Sequence, residues 1–118
     1  MDNKKIAVIT GASRGIGESI ADAFAAKGFD LILTARNAEL LSDVSNRLES
    51  KHSNQVWKIP ADLSTENGCT DFVRQVKELN LEIDVLVNNA GVFLPGTLMD
   101  EPVGQMEMQM QTNFFSAY

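Results

Sequence analysis

The sequence predicts an α/β domain, a doubly wound parallel sheet with helices on both faces. Three observations carry this. Short apolar runs alternate with stretches of helical periodicity along the chain, the pattern of strands joined by crossover helices. The runs are continuous in apolar character rather than alternating, as expected of strands covered on both faces. The first run, Ile6-Ala7-Val8-Ile9, ends in a turn that holds Gly11, Gly15 and Gly17 and passes directly into a helical pattern.

Each element follows from its own residues. The first strand spans about Lys5–Thr10. The first helix spans about Gly15–Lys27, with Ile16, Ile20, Ala23 and Phe24 as its apolar positions and Gly28 as its C-terminal stop. The second strand, Phe29–Ala35, is centred on Leu31-Ile32-Leu33. The second helix begins after Asn37, an N-cap residue, and carries Leu40, Leu41, Val44 and Leu48 on one face. The third strand, about Gln55–Ile59, is ended by Pro60. The third helix begins near Ser64 or Thr65, with Cys69, Phe72, Val73, Val76 and Leu79 as its inner stripe. A fourth strand covers Ile83–Val87, and a last helix runs from about Glu101, with Val103, Met106, Met110 and Phe114 on one side. Crossovers of this kind are right-handed and leave the strands parallel. Ligands of such sheets bind beyond the carboxyl ends of the strands, where the winding reverses.

The glycine turn carries chemistry. A helix N-terminus offers N–H groups without intrahelical partners and a partial positive charge, and glycine lets the backbone turn sharply and an anion come close. The spacing is Gly-x-x-x-Gly-x-Gly, a variant of the common dinucleotide fingerprint. Thr10-Gly11-Ala12-Ser13-Arg14-Gly15-Ile16-Gly17 resembles the cofactor motif of the short-chain dehydrogenases/reductases, and Asn88-Asn89-Ala90-Gly91 resembles that family's second signature. The likeness covers essentially all of the chain but only the cofactor half of the family's domain. It implies a Rossmann fold with strand order 3-2-1-4, residues 1–118 forming one NADP-binding domain that is incomplete at its C-terminus.

The resemblance assigns residues to the site. Gly11, Ser13, Arg14, Gly15, Ile16 and Gly17 would cradle the pyrophosphate and the adjacent ribose. NAD-specific sites place an acid at the end of the second strand, about 20 residues past the glycines, for the ribose 2′-hydroxyl. Here that position reads Thr34-Ala35-Arg36, with the acid absent. A carboxylate would repel a 2′-phosphate, whereas guanidinium groups bind one through parallel hydrogen bonds. Arg14 and Arg36 together therefore point to NADP as the cofactor, against the plainer reading of Arg36 as a solvated charge at a helix start. By the same resemblance, Asp62 accepts from the adenine amino group and Leu63 offers a backbone contact, although an aspartate before Ser64 could equally cap the third helix. Asn89, Ala90 and Gly91 are the expected ribose-side contacts, with Asn88 a strut. Asn113 would belong to the catalytic set, holding a water in a proton relay; its plain alternative is a solvent-facing polar residue.

The family's serine, and its tyrosine and lysine four residues apart, have no counterpart here, and Tyr118 does not match that tyrosine. The reading is thus an NADP-dependent oxidoreductase that moves a hydride between nicotinamide and a carbonyl or secondary alcohol, with a 3-oxoacyl thioester as the specific substrate guess. The 118-residue chain alone is expected to be inactive. A non-catalytic NADP-binding regulatory module and an inert fragment are the alternatives. A homodimer or homotetramer is implied for the full protein by resemblance only.

Composition bounds the rest. The net charge is −6 and lysines and arginines are scattered, which argues against nucleic acid as a partner. No window is apolar enough to span a membrane, no signal peptide is visible, and a single cysteine, Cys69, suits a reducing cytoplasm. His52 is expected alone in a polar loop, Ser50–Asn54, without a Cys or Glu cluster, so no metal is expected. Trp57 is read as packing, and the methionines from Met99 to Met110 as a core or partner-facing surface.

Overall fold

The computed structural model describes residues 4–13 and 15–89; Arg14, Ala90, Gly91, Asn113 and the helix expected from Glu101 lie outside the described residues. Within them the order is β1 (Ile6–Thr10), α1 (Gly15–Ala26), β2 (Asp30–Thr34), α2 (Ala38–His52), β3 (Val56–Lys58), α3 (Glu66–Glu78) and β4 (Val85–Val87). The four strands form one sheet in the order β3-β2-β1-β4. Every neighbouring pair is parallel, with Thr10 level with Thr34 and Ile9 level with Val87. The predicted topology is therefore the observed one, and the strand ends differ from expectation by one or two residues, the usual scatter at element termini.

The two-sided burial read from the apolar runs is visible residue by residue. Ile6, Val8, Ile32 and Leu86 pack on one side with Cys69, Phe72, Val73 and Val76 of α3. Ala7, Ile9, Leu31, Leu33 and Val87 pack on the other with residues of α1 and α2. Period-two alternation sends neighbours in one strand to opposite layers. Cys69 is fully buried, its thiol donating to the Leu63 carbonyl at 3.2 Å. Trp57 is half-buried against the α3 layer, a packing role as expected.

The helices begin and end where their caps dictate. Asn37 accepts from the Leu40 N–H at 3.0 Å to open α2, and Thr65 accepts from the Gly68 N–H at 2.9 Å to open α3. These are N-cap bonds to the third helical residue. At the end of α1, Gly28 has φ +93°, its N–H reaching the Ala25 carbonyl and the Phe29 N–H reaching that of Phe24. This paired closure needs a left-handed residue, which glycine supplies without steric cost.

Two expectations are corrected. The inner face of α1 is not the stripe of larger residues: Gly17, Ala21 and Ala25 are buried, Ala23 is exposed, and Ile16 is 69% exposed. Ile20 and Phe24 do pack, partly buried, against the same core layer, while the fully buried positions of the helix are the small Gly17, Ala21 and Ala25. His52 does not stand alone in a loop. It ends α2, and its Nε2 lies 2.7 Å from Oδ1 of Asp22 in α1, with Lys51 joining the same carboxylate at 3.3 Å. The His52 bond, chiefly, holds the Asp22 carboxyl below the usual carboxylate range. Arg47 and Glu18 pair across the same two helices. Among the described residues no helix is long and apolar enough to cross a membrane, and no group of three or more His, Cys, Asp or Glu is placed to hold a metal ion.

Candidate functional site

Because all four strands are parallel, their carboxyl ends share one edge of the sheet. A cleft of about 710 Å³ opens there, lined by Gly11 and Ser13 after β1, Thr34 to Asn37 and Leu40 after β2, Ala61 to Ser64 after β3, and Asn89 after β4. Its size falls within the range of small-molecule and cofactor sites.

The glycines of the first turn have separate reasons. Gly11 and Gly15 both have φ +63°. A Cβ built on Gly15 meets nothing within 4 Å, so backbone conformation alone selects glycine there. At Gly17 space selects it: a Cβ would stand 1.9 Å from the Gly11 carbonyl oxygen and 2.8 Å from Nδ2 of Asn89. The first turn of α1 therefore rests directly on the backbone of the turn before it. Its leading N–H groups, including those of Gly15, Ile16 and Gly17, have no intrahelical acceptors by helix geometry.

The β1 and β4 ends are tied through Thr10. Its buried hydroxyl donates to Oδ1 of Asn88 at 3.0 Å and accepts the Asn89 N–H at 2.8 Å. Nδ2 of Asn89 reaches the Gly11 carbonyl at 3.4 Å. Asn88 is fully buried and acts as the strut, while Asn89 is half-buried and lines the cleft.

At the β2 end Thr34 and Ala35 are buried, and Arg36 is exposed on the cleft rim. At the β3 end Leu63 turns its side chain into the core, leaving its backbone at the cleft. Oδ1 of Asp62 accepts the Ser64 hydroxyl at 2.5 Å and the Ser64 N–H at 3.0 Å. Those two bonds, hydroxyl first, and then the charge of Arg36 hold the Asp62 carboxyl below its usual range, so it is ionised at neutral pH. Helix capping belongs to Thr65 rather than to the Asp62 side chain; the Asp62 carbonyl accepts from Thr65 instead.

The structure thus brings Gly11, Ser13, Arg36, Asp62, Leu63 and Asn89 to one cleft, with Gly15, Ile16 and Gly17 on the adjoining first turn of α1. It adds residues that the sequence reading did not single out. Ser64 was visible in principle, since an aspartate two residues before a serine marks a local side chain-to-backbone turn. Gly68, where a Cβ would stand 1.8 Å from the Asp62 carbonyl oxygen, was visible as a glycine inside a helical pattern. The hub role of Thr10 depends on contacts far apart in sequence and has no local signal.

A strand–glycine turn–helix unit at the edge of a 3-2-1-4 parallel sheet is the geometry the resemblance implies. Residues 5–118, nearly the whole of this chain, match the sequence pattern of the short chain dehydrogenases. The chain belongs to the short-chain dehydrogenase family. Among its relatives is the rhamnolipids biosynthesis 3-oxoacyl-[acyl-carrier-protein] reductase of Pseudomonas aeruginosa, 40% identical over 114 residues, 97% of this chain and 44% of that protein. The L-sorbose reductase of Gluconobacter frateurii, solved in complex with NADPH and L-sorbose, superimposes with a TM-score of 0.72 at 36% identity, over 84% of this chain and 38% of that one. The alcohol dehydrogenase of the archaeon Thermococcus sibiricus, complexed with 5-hydroxy-NADP, gives 0.69 at 39% identity, over 72% of this chain and 36% of that one. The chain spans less than half the length of these short-chain dehydrogenase relatives.

Proposed function

We propose that this chain binds NADP(H) along the carboxyl edge of its sheet, as the cofactor half of a short-chain oxidoreductase. The observation that carries the reading is the end of β2, where Ala35 stands in place of an acid and Arg36 sits exposed on the cleft rim. The residues present fit the group. The leading N–H groups of α1 and the bare Gly17 turn suit a pyrophosphate, and the Asp62 carboxylate suits an amino donor. Arg36, with Arg14 from the glycine turn, would hold the 2′-phosphate; Asn89, Ala90 and Gly91 would face the ribose side.

When bound, the nicotinamide supplies or accepts a hydride against a carbonyl or secondary alcohol. Thr10 keeps the β1 and β4 ends together at this edge of the sheet, and Asn113 is proposed to hold a water for proton transfer. The family's tyrosine and lysine have no counterpart among these residues, and the proposal for this chain alone is binding without turnover. A 3-oxoacyl thioester is the proposed substrate class, supported by similarity to the Pseudomonas aeruginosa reductase. A homodimer or homotetramer is proposed for the full protein on family resemblance, and a cytoplasmic location on its single cysteine among these residues.

Titrating NADPH and NADH by fluorescence tests this. NADPH is expected to bind on the order of 100-fold more tightly, since each charged hydrogen bond is worth about 1.5–3 kcal/mol. Arg36→Asp should cancel most of that preference. Equal affinities for the two dinucleotides would overturn the reading.

A further inference from the structure

We infer that Ser64 is a positioning residue that sets which purine the cleft accepts, by fixing the Asp62 carboxylate. The inference rests on the proposed adenine contact of Asp62 and deepens it. Asp62 is unusually well mounted for a half-buried loop residue. Oδ1 takes both the hydroxyl (2.5 Å) and the N–H (3.0 Å) of Ser64. Its carbonyl takes the Thr65 hydroxyl at 3.2 Å. Behind it the first turn of α3 closes against the same carbonyl at Gly68, where not even a methyl group would fit.

The consequence is directional. With Oδ1 occupied twice, Oδ2 is the oxygen left for a ligand; among the described residues it accepts no hydrogen bond. A fixed, ionised acceptor attracts a 6-amino purine and repels the oxygen of a 6-oxo purine, which presents an acceptor of its own. Without the Ser64 hydroxyl only the Ser64 N–H still holds Oδ1, so the carboxylate is freer to rotate and the distinction between the two bases narrows while the rest of the site is untouched.

The experiment compares, on the full chain, the affinity for NADPH with that for its reduced nicotinamide hypoxanthine dinucleotide phosphate analogue, in which a 6-oxo group and an N1–H replace the 6-amino group and the bare N1. The wild type is expected to favour NADPH by about tenfold or more. Ser64→Ala should cut that ratio to about threefold or less, chiefly by weakening NADPH. Ser64→Thr, which keeps the hydroxyl, should retain the ratio. Ser64→Cys, a weak donor, should fall between and serves as a second test if the alanine variant does not fold. A structural role alone would weaken both ligands equally, so an unchanged ratio in Ser64→Ala overturns the inference. Asp62→Asn separates the two readings. If it abolishes the preference while Ser64→Ala does not, Asp62 reads the base and Ser64 does not position it. If it leaves the preference intact, the adenine contact itself is wrong, and the positioning inference falls with it.

Discussion

Replacing Gly17 with alanine sets two physical effects against each other. Helix propensity alone predicts stabilisation of about 1 kcal/mol, because alanine loses less chain entropy than glycine in a helix. The structure predicts the opposite sign. The added Cβ would lie 1.9 Å from the Gly11 oxygen and 2.7 Å from its carbon, and both obstacles are backbone. An ordinary contact between such atoms is about 3.5 Å, so α1 must withdraw by more than an ångström. Overpacking of this kind costs about 1–3 kcal/mol, and an obstacle that cannot rotate aside places this case at the upper end. The net loss is about 2 kcal/mol, equivalent to a Tm lower by about 8 °C or more. Gly15→Ala is the control. Its Cβ meets nothing, and its cost is the left-handed φ alone, about 1–2 kcal/mol. Thermal melts of wild type and both variants by circular dichroism check the order. A Gly17→Ala variant that melts with or above the wild type would refute the claim that α1 rests on the glycine turn.

Thr10→Val keeps the shape but removes the hydroxyl that serves Asn88 and the Asn89 N–H, so a loss of about 2–3 kcal/mol is expected in urea unfolding, with Thr10→Ser nearly silent. A valine variant as stable as wild type would exclude the hub role. The Asp22 carboxyl is held low by His52 and Lys51, so its contribution is present above its unfolded pKa of about 3.9 and fades as pH falls through the lower folded value. Asp22→Asn should therefore melt below wild type at pH 7 by less than Gly17→Ala does, with the gap closing below about pH 4; a gap constant with pH contradicts the pairing. Cys69 is fully buried under α3, so a thiol reagent should label it at a rate set by unfolding and accelerated by urea. Rapid stoichiometric labelling of the native chain would show that α3 is not docked as described.

What was legible in the sequence was local or periodic. The turn from β1 into α1 announced itself by glycines, α2 by Asn37 and α3 by the Ser64-Thr65 pair at their starts, and the doubly covered sheet by unbroken apolar runs. The face of α1 was misread in part because size as well as apolar character decides which residues sit innermost: Gly17, Ala21 and Ala25 are buried, Ile20 and Phe24 pack partly buried beside them, and Ile16 lies out. His52 was misplaced because its partner, Asp22, sits 30 residues earlier on another helix. The cleft residues at strand ends were found because the fold dictates which ends converge. Their supports, Ser64 on Asp62 and Thr10 on the two asparagines, needed coordinates, since a hydroxyl in sequence does not say which acceptor it will meet.

The bond from Thr10 to Asn88 spans 78 positions of the chain, whereas Ile6 meets its β2 partner Asp30 after only 24. Closing the longer loop costs about 1 kcal/mol more in chain entropy. The β1–β2 half can thus assemble while the rest is still being made, but the floor under the glycine turn stays open until β4 slots in beside β1. Among the described strands β4 is the last to be made, so a ligand bridging the glycine turn and Asn89 would act as a latch on the β1–β4 pairing.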